Sequence, residues 1–287
     1  MNSDARVNHV RSALTYVRRF SGTTVLIKLG GAALQDPELV SSICEDLTLI
    51  RSAGISVVLV HGGGPSINQE LTRRGIQWEF LEGQRITTPE MMEVIERVLC
   101  GSVNRTIVRT LNASGVPAVG ISGGDAQTLL CKAAHPKLGQ VGQIETVNTG
   151  FILSVMDQAI PVIAPIGVGR DGTAFNINAD WAASRIAQSL GVGKLIFLTD
   201  QDGILDSNKK LIPELDAAEL ENLIENGTVQ GGMLAKTRTI LHALRHGVKD
   251  IHVLNARRPH GLIEELFTDQ GVGTACRLRS LSGGTSV

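Results

Sequence analysis

Two short apolar runs, each stopped by consecutive glycines, constrain this chain more than any other feature. Thr24-Val-Leu-Ile-Lys-Leu29 ends at Gly30-Gly31, and Ile55-Ser-Val-Val-Leu-Val60 ends at His61-Gly62-Gly63-Gly64-Pro65. Apolar and β-branched, with few polar positions, both read as strands buried on two faces. Between them Asp36-Pro37 offers an N-cap and a proline for the first helical turn. Leu39, Ile43, Leu47 and Ile50 recur at helical spacing, and Gly54 stops the helix. Strand and helix alternating, with glycines at the strand ends, predict a parallel α/β sheet.

The pattern continues to the end of the chain. Further buried strands are predicted at Ala118–Ile121, Pro161–Pro165, Leu195–Thr199 and Ile251–Leu254. Helices are predicted at 89–114, 179–190, 216–226, 233–246 and 259–267. Segments 76–88 and 126–147 read as hairpins with Gly83, Gly139 and Gly142 as turn residues. The run from Gly167 to Gly172 is the candidate domain junction. Val7, Val10, Leu14, Val17 and Phe20 form an amphipathic helix ahead of the first strand. The tail from Ser280 is Ser/Gly-rich and expected to fray.

Composition removes several classes of function. Of 287 residues, 27 are Lys or Arg and 28 are Asp or Glu, a net charge of −1. That balance argues against nucleic acid or an anionic membrane as the main partner. Cys44, Cys100, Cys131 and Cys276 show no CxxC pair, so no zinc site is expected and core thiols are the simple reading. No signal-peptide stretch and no run of about 18 apolar residues occurs, and a cytoplasmic location is expected. Gly makes up 32 of the 287 residues, about 11% against an average near 7%. With no low-complexity tract to absorb them, these glycines belong in tight turns and ligand loops.

Lys28 stands near the end of a buried strand, two residues before Gly30-Gly31. It is either a surface lysine before a turn or half of an anion site, with glycine amides and a helix N-terminus as the other half. His61-Gly-Gly-Gly-Pro65 repeats the logic at the edge of the sheet where open α/β folds bind ligands. His61 itself reads as a packed or hydrogen-bonding residue in preference to a base. GxxxxGK[ST], GxGxxG at the first helix, HRD and DFG are all absent. Arg85 could clamp a carboxylate or be a solvated surface residue. In Asn176-Ile-Asn-Ala-Asp180, Asp180 could cap the following helix, which leaves Asn176 and Asn178 unexplained. Thr199-Asp-Gln-Asp-Gly203 ends a strand, and Lys236 follows Gly231-Gly232 at a helix start, again suited to phosphate.

Taken in order, Lys28-Leu-Gly-Gly31, His61-Gly-Gly-Gly-Pro65, Gly83-Gln-Arg85, Asn176-Ile-Asn-Ala-Asp180, Leu198-Thr-Asp-Gln-Asp-Gly203 and Gly231-Gly-Met-Leu-Ala-Lys236 resemble the amino acid kinase family. The likeness runs from about residue 7 to residue 279. It implies a three-layer αβα sandwich around an open, mostly parallel sheet, preceded by an N-terminal helix over residues 1–22. Residues 23–172 would bind an acyl-amino acid and residues 173–287 would bind ATP. The implied reaction is ATP-dependent phosphorylation of the γ-carboxylate of N-acetyl-L-glutamate, a step of arginine biosynthesis.

By the resemblance, Lys28 and Lys236 hold the transferring phosphoryl group and Asp180 orients both lysines. Gly63, Gly64, Arg85 and Asn176 bind the acyl-amino acid. Gly30, Gly31, Asp200, Gly203, Leu205, Thr228 and Gln230 bind ATP, which brings Mg2+, and no metal site of the protein's own is implied. The substrate carboxylate is already ionised at neutral pH, so the reaction needs charge neutralisation and in-line positioning without a general base. Family members with an N-terminal helix are inhibited by L-arginine and link dimers into hexamers. The likeness places Tyr16, Lys210, Glu265 and Gly271 at that effector site and leaves room for a signalling-protein partner. Asn255-Ala256 departs from the Asp-Gly or Gly-Gly more common there. Two alternatives remain at this point, a carboxylate kinase acting on carrier-linked α-aminoadipate and a non-catalytic amino-acid or nucleotide sensor on the same fold.

Overall fold

The computed structural model describes residues 11, 14, 15, 17, 18, 20–268 and 271–279. Its centre is an eight-stranded sheet in the order β12-β14-β13-β11-β1-β2-β8-β5. The strands are β1 (Thr24–Leu29), β2 (Ser56–His61), β5 (Ala118–Ser122), β8 (Ile160–Ala164), β11 (Lys194–Thr199), β12 (Glu214–Asp216), β13 (Asp250–Asn255) and β14 (Thr274–Arg277). All neighbours pair in parallel except β13 and β14. The expected parallel sheet is therefore present, with β14 turned back at one edge and β12 following it.

Alternation along β1 separates the two faces of the sheet. Val25, Ile27 and Leu29 enter one buried cluster with α2 (Pro37–Ser52), α5 (Asn104–Ala113) and α10 (Gly261–Phe267). Leu26 enters the other, with α7 (Ala179–Leu190) and α9 (Gly231–Arg245). Helices thus cover both faces, which is the three-layer sandwich expected.

The predicted long helix at 89–114 is α4 (Pro89–Glu96), a π-helical stretch Arg97–Val103, and α5. The hairpin expected at 76–88 is β3 (Phe80–Leu81) against β4 (Gln84–Arg85). Glu82 and Gly83 both have positive φ, 51° and 79°, the geometry of a two-residue type I′ turn, which suits glycine at the second position. The 126–147 hairpin is β6 (Leu129–Ala133) with β7 (Gly142–Val147). Gly142 is the first residue of β7 and not a turn residue as expected.

The Gly167–Gly172 run closes a short antiparallel hairpin, β9 (Ile166–Val168) with β10 (Ala174–Asn176), in a four-stranded sheet of order β10-β9-β6-β7. Among the described residues of the N-terminal segment, 11, 14, 15, 17, 18 and 20 are helical. Leu14 there is 61% exposed, whereas Phe20 packs on the core. Val7, Val10 and the tail from Ser280 lie outside the described residues.

Candidate active site

Lys28 lies on β1 on the face covered by α7 and α9, close to the carboxyl end of the sheet. It is buried, as is Lys236 on α9. Such burial is costly for an ammonium unless a counter-charge accompanies it. Asp180 supplies one, with Oδ1 2.7 Å from Lys28 Nζ and Oδ2 2.7 Å from Lys236 Nζ. Burial acts to raise the Asp180 carboxyl pKa, but the two ammonium groups outweigh it and hold the group well below the usual carboxylate range. Burial, reinforced by the charge of Lys28, lowers the Lys236 pKa, while Asp180 and Asp200 act against that shift.

Asp180 is free to do this because it is not the helix cap that the sequence offers. Asn178 caps α7, its Oδ1 accepting from the amides of Asp180 at 2.9 Å and Trp181 at 3.2 Å. Its extended backbone, φ −60° and ψ 125°, sets the side chain beside the first turn. The carboxylate two residues later projects from that turn toward the lysines. Asn176 serves a different end, donating from Nδ2 to Thr87 Oγ1 at 3.1 Å, and Thr87 Oγ1 in turn donates to the Arg85 carbonyl at 2.9 Å.

A cavity of about 420 Å³ opens over these groups, lined by Lys28, Gly31, Gly63, Gly64, Arg85, Asn176 and Asp180 among others. Arg85 closes one side. Its Nη2 donates to Asn68 Oδ1, and its guanidinium carbon sits 4.8 Å from the Phe80 ring centroid and 5.6 Å from that of Trp78. Its Nη1 is buried with no hydrogen-bond partner. Burial lowers the Arg85 pKa from its ordinary high value, yet a guanidinium stays charged. A buried charged donor without an acceptor calls for an anionic ligand. The solvated-surface reading of Arg85 is therefore excluded.

Gly63 and Gly64 stand at the start of α3 (Gly64–Arg73), whose N-terminus no side chain caps. Unclaimed amides at a helix start form an anion site. A Cβ on Gly63 would lie 2.5 Å from Leu99 Cδ2, so any larger residue there requires Leu99 to move. Gly30 differs from the other glycines: its amide donates to the Leu198 carbonyl at 3.0 Å and is committed to the sheet. The suggestion that Gly30 donates to phosphate is corrected on that ground, whereas Gly31 lines the cavity.

Asp200, Gly203 and Leu205 lie in the loop after β11, and Thr228 and Gln230 in the loop before α9. Gln230 occupies the cap position of α9 with its side chain donating to the Gly227 carbonyl at 3.0 Å, leaving the cap site itself without a side-chain acceptor. Asn255, the departure noted in the sequence, donates to Asp202 Oδ1 at 2.7 Å and so joins β13 to the Asp200–Leu205 loop.

Far from this cavity, Glu265 and Gly271 line a second one of about 490 Å³, with Lys194, Asp250, His252 and Arg277. Lys210 does not line it. It sits exposed in the tight turn from Asp206, its amide donating to Asp206 Oδ1 at 2.9 Å. Tyr16 lies outside the described residues.

Sequence reasoning missed Asn68, Trp78, Phe80 and Leu99. Asn68 lies on α3 four residues after Gly64, so helical spacing from the glycine loop was the available signal. Nothing local marks Leu99. Among the described residues no group of three or more acidic, His or Cys side chains could hold a metal ion, and no helix is long and apolar enough to cross a membrane.

The cavity opens at the carboxyl edge of a parallel sheet, beside two lysines bridged by an aspartate, an arrangement suited to an anionic ligand. The model of the amino acid kinase family matches residues 23–255, and the chain belongs to that family. It is 42% identical over 283 residues to the acetylglutamate kinase of Nitrosococcus oceani, covering 93% of this chain and 94% of that relative. It is 43% identical over 282 residues to the acetylglutamate kinase of Trichlorobacter lovleyi, covering 94% and 97%. Within the family the chain falls with the acetylglutamate kinases, and it is a kinase.

Among solved structures, N-acetylglutamate synthase from Neisseria gonorrhoeae, complexed with coenzyme A and N-acetyl-glutamate, is similar with a TM-score of 0.87 and 26% identity. The match covers 96% of this chain and spans 64% of the length of that synthase. Carbamate kinase from Giardia lamblia shares the fold, with a TM-score of 0.65 at 16% identity over 90% of this chain and 99% of that one.

Proposed function

We propose that the protein transfers the γ-phosphoryl group of ATP to the γ-carboxylate of N-acetyl-L-glutamate, giving N-acetyl-glutamyl phosphate and ADP. The observation that carries this reading is one cavity with Lys28 and Asp180 at one side, Asp180 being paired in turn with Lys236 behind it, and the unpartnered Arg85 Nη1 at another. Arg85 takes the α-carboxylate, and Asn176 lies beside it. The γ-carboxylate is a nucleophile without deprotonation, and attacks the phosphorus in line while ADP leaves. Lys28 and Lys236 offset the charge on the phosphoryl oxygens, and the Gly31, Gly63 and Gly64 amides add neutral donors. ATP enters as its Mg2+ complex, beside Asp200, Gly203, Leu205, Thr228 and Gln230. Residues 23–172 form the acyl-amino-acid lobe and 173–287 the nucleotide lobe. The N-acetyl-glutamate bound by the gonococcal synthase and the names of the bacterial relatives support the choice of substrate.

Arginine regulation belongs to the same proposal. The second cavity carries Glu265 and Asp250 for a guanidinium and Lys194 for a carboxylate. The exposed Leu14 side chain on the N-terminal helix suits a symmetric contact with a second copy of that helix, joining dimers into hexamers. The test of substrate is ADP release measured with N-acetyl-glutamate, N-acetyl-aspartate and aminoadipate derivatives in parallel. Preference for N-acetyl-glutamate supports the reading, and preference for an aminoadipate derivative overturns it.

A further inference from the structure

His61, the last residue of β2, is fully buried and engaged through both ring nitrogens. Nδ1 lies 2.8 Å from the Gly62 carbonyl oxygen, and Nε2 lies 3.2 Å from Asn104 Nδ2. The same Asn104 Nδ2 lies 2.8 Å from the Val162 carbonyl oxygen. A carbonyl only accepts, so the Asn104 atom between these two partners is its NH2 group. His61 Nε2 therefore accepts, the ring proton resides on Nδ1, and Nδ1 donates to Gly62. Burial pushes the imidazole pKa down to about 4 against the opposing pull of the Gly62 bond. The ring is neutral at working pH, and this tautomer is fixed.

We infer that His61, oriented by Asn104, is a positioning residue that aims the Gly63 amide at the phosphoryl group. The peptide between Gly62 and Gly63 is planar and trans, so its C=O and N–H point in opposite directions. A donor that pins the Gly62 oxygen consequently pins the Gly63 N–H as well. Gly63 lines the cavity that holds Lys28 and Asp180. Leu99 and Val103 close on its α-carbon, since a Cβ built there would meet them at 2.5 and 3.5 Å. Such a peptide carries no side chain to anchor it. His61 supplies that anchor from beneath.

Asn104 is itself set by its surroundings. It follows directly on the π-helical stretch Arg97–Val103, and local π geometry recurs at functional sites. It faces Gly120 on β5, where a Cβ would come within 1.8 Å of Asn104 Oδ1. The buried path thus runs from the edge strand through Asn104 and His61 to one backbone amide. This inference rests on the phosphoryl-transfer reading for its effect on rate, but the geometry can be tested without turnover.

Two substitutions separate positioning from packing. His61→Asn keeps an N–H near the Nδ1 position and loses the acceptor at Nε2. His61→Gln keeps a polar group near Nε2 and loses the donor at Nδ1. Turnover is measured with ATP and N-acetyl-glutamate, alongside nitrogen-15 spectra of the imidazole and of the Gly63 amide in the ligand-free protein. The expected result is a kcat lowered about 10- to 100-fold in H61Q with both KM values within roughly threefold, in the direction of a lost oxyanion donor. H61N, which keeps the donor and loses the Asn104 contact, is expected to lose less, its kcat lying between those of H61Q and the parent. The Gly63 amide resonance should move in H61Q and hold in H61N, and the parent ring should show protonated Nδ1. H61Q equal to the parent, both variants equally impaired, or a ring protonated on Nε2 would each overturn the inference. Absence of turnover in the parent enzyme defeats the substrate reading instead, and the spectra still decide the fate of the His61 donor.

Discussion

His260 donates from Nδ1 to the buried Asp46 carboxylate at 2.8 Å, tying the residue before α10 to the middle of α2. The bond raises the His260 pKa above its ordinary value. Burial raises the Asp46 pKa in turn, with His260 acting against that. A raised imidazole pKa stabilises the fold fully below the unfolded value near 6.5. The contribution fades as pH climbs through the folded value. His260→Ala should therefore lower the thermal midpoint more at pH 6 than at pH 9. Equal losses at both pH values, measured by calorimetry, would show that the pair does not titrate in this way.

Lys236 is expected to set the alkaline limb of kcat. Its pKa is lowered by burial and by Lys28, and Asp180 props it up. Activity should fall as pH rises through that lowered value, and Asp180→Asn should move the limb to still lower pH. A kcat–pH profile identical in D180N apart from its height would assign the limb to another group.

Removing either lysine tests charge neutralisation directly. Lys28→Ala and Lys236→Ala should each lower kcat on the order of 10²–10³-fold, the range for loss of one strong electrostatic donor, with smaller changes in KM. Normal turnover in K236A would remove Lys236 from the reaction.

For Arg85 the expected signature is selective. Arg85→Lys keeps the charge and loses the planar fork, so KM for the acyl-amino acid should rise roughly tenfold or more while KM for ATP stays nearly unchanged. Equal weakening of both substrates would make Arg85 a scaffold residue.

Deleting residues 1–20 should leave a dimer that still turns over and no longer responds to arginine. Sedimentation and inhibition curves on the same preparation check both halves. A truncated protein that remains hexameric would end the assembly proposal without touching the kinase assignment.

The sequence made some of this legible for simple reasons. Lys28 is conspicuous because charge is rare in a run that is otherwise apolar, and consecutive glycines at two strand ends have few structural uses. Six of the eight strands of the central sheet followed from apolar runs such as Leu195–Leu198, whereas β12 and β14 did not. Short elements escaped, because β9, β10 and β12 are each three residues long and are defined by pairing with distant partners. The α7 cap stayed open in the sequence because Asn178 and Asp180 have similar capping chemistry, and only the backbone angles choose between them. Nothing in the sequence marks Asn104, because its buried partners, His61 on β2 and Val162 on β8, are distant in the chain.

The fit of Leu99 against Gly63 also has a consequence for how such chains vary. With Leu99 Cδ2 only 2.5 Å from where a Cβ at residue 63 would stand, the two positions share one volume. Across a large library of variants they should therefore change together, a bulkier residue at 63 surviving only where 99 has shrunk. A deep mutational scan of the pair would display this as compensation along a diagonal, although one residue belongs to the glycine run after β2 and the other to a helix of the scaffold.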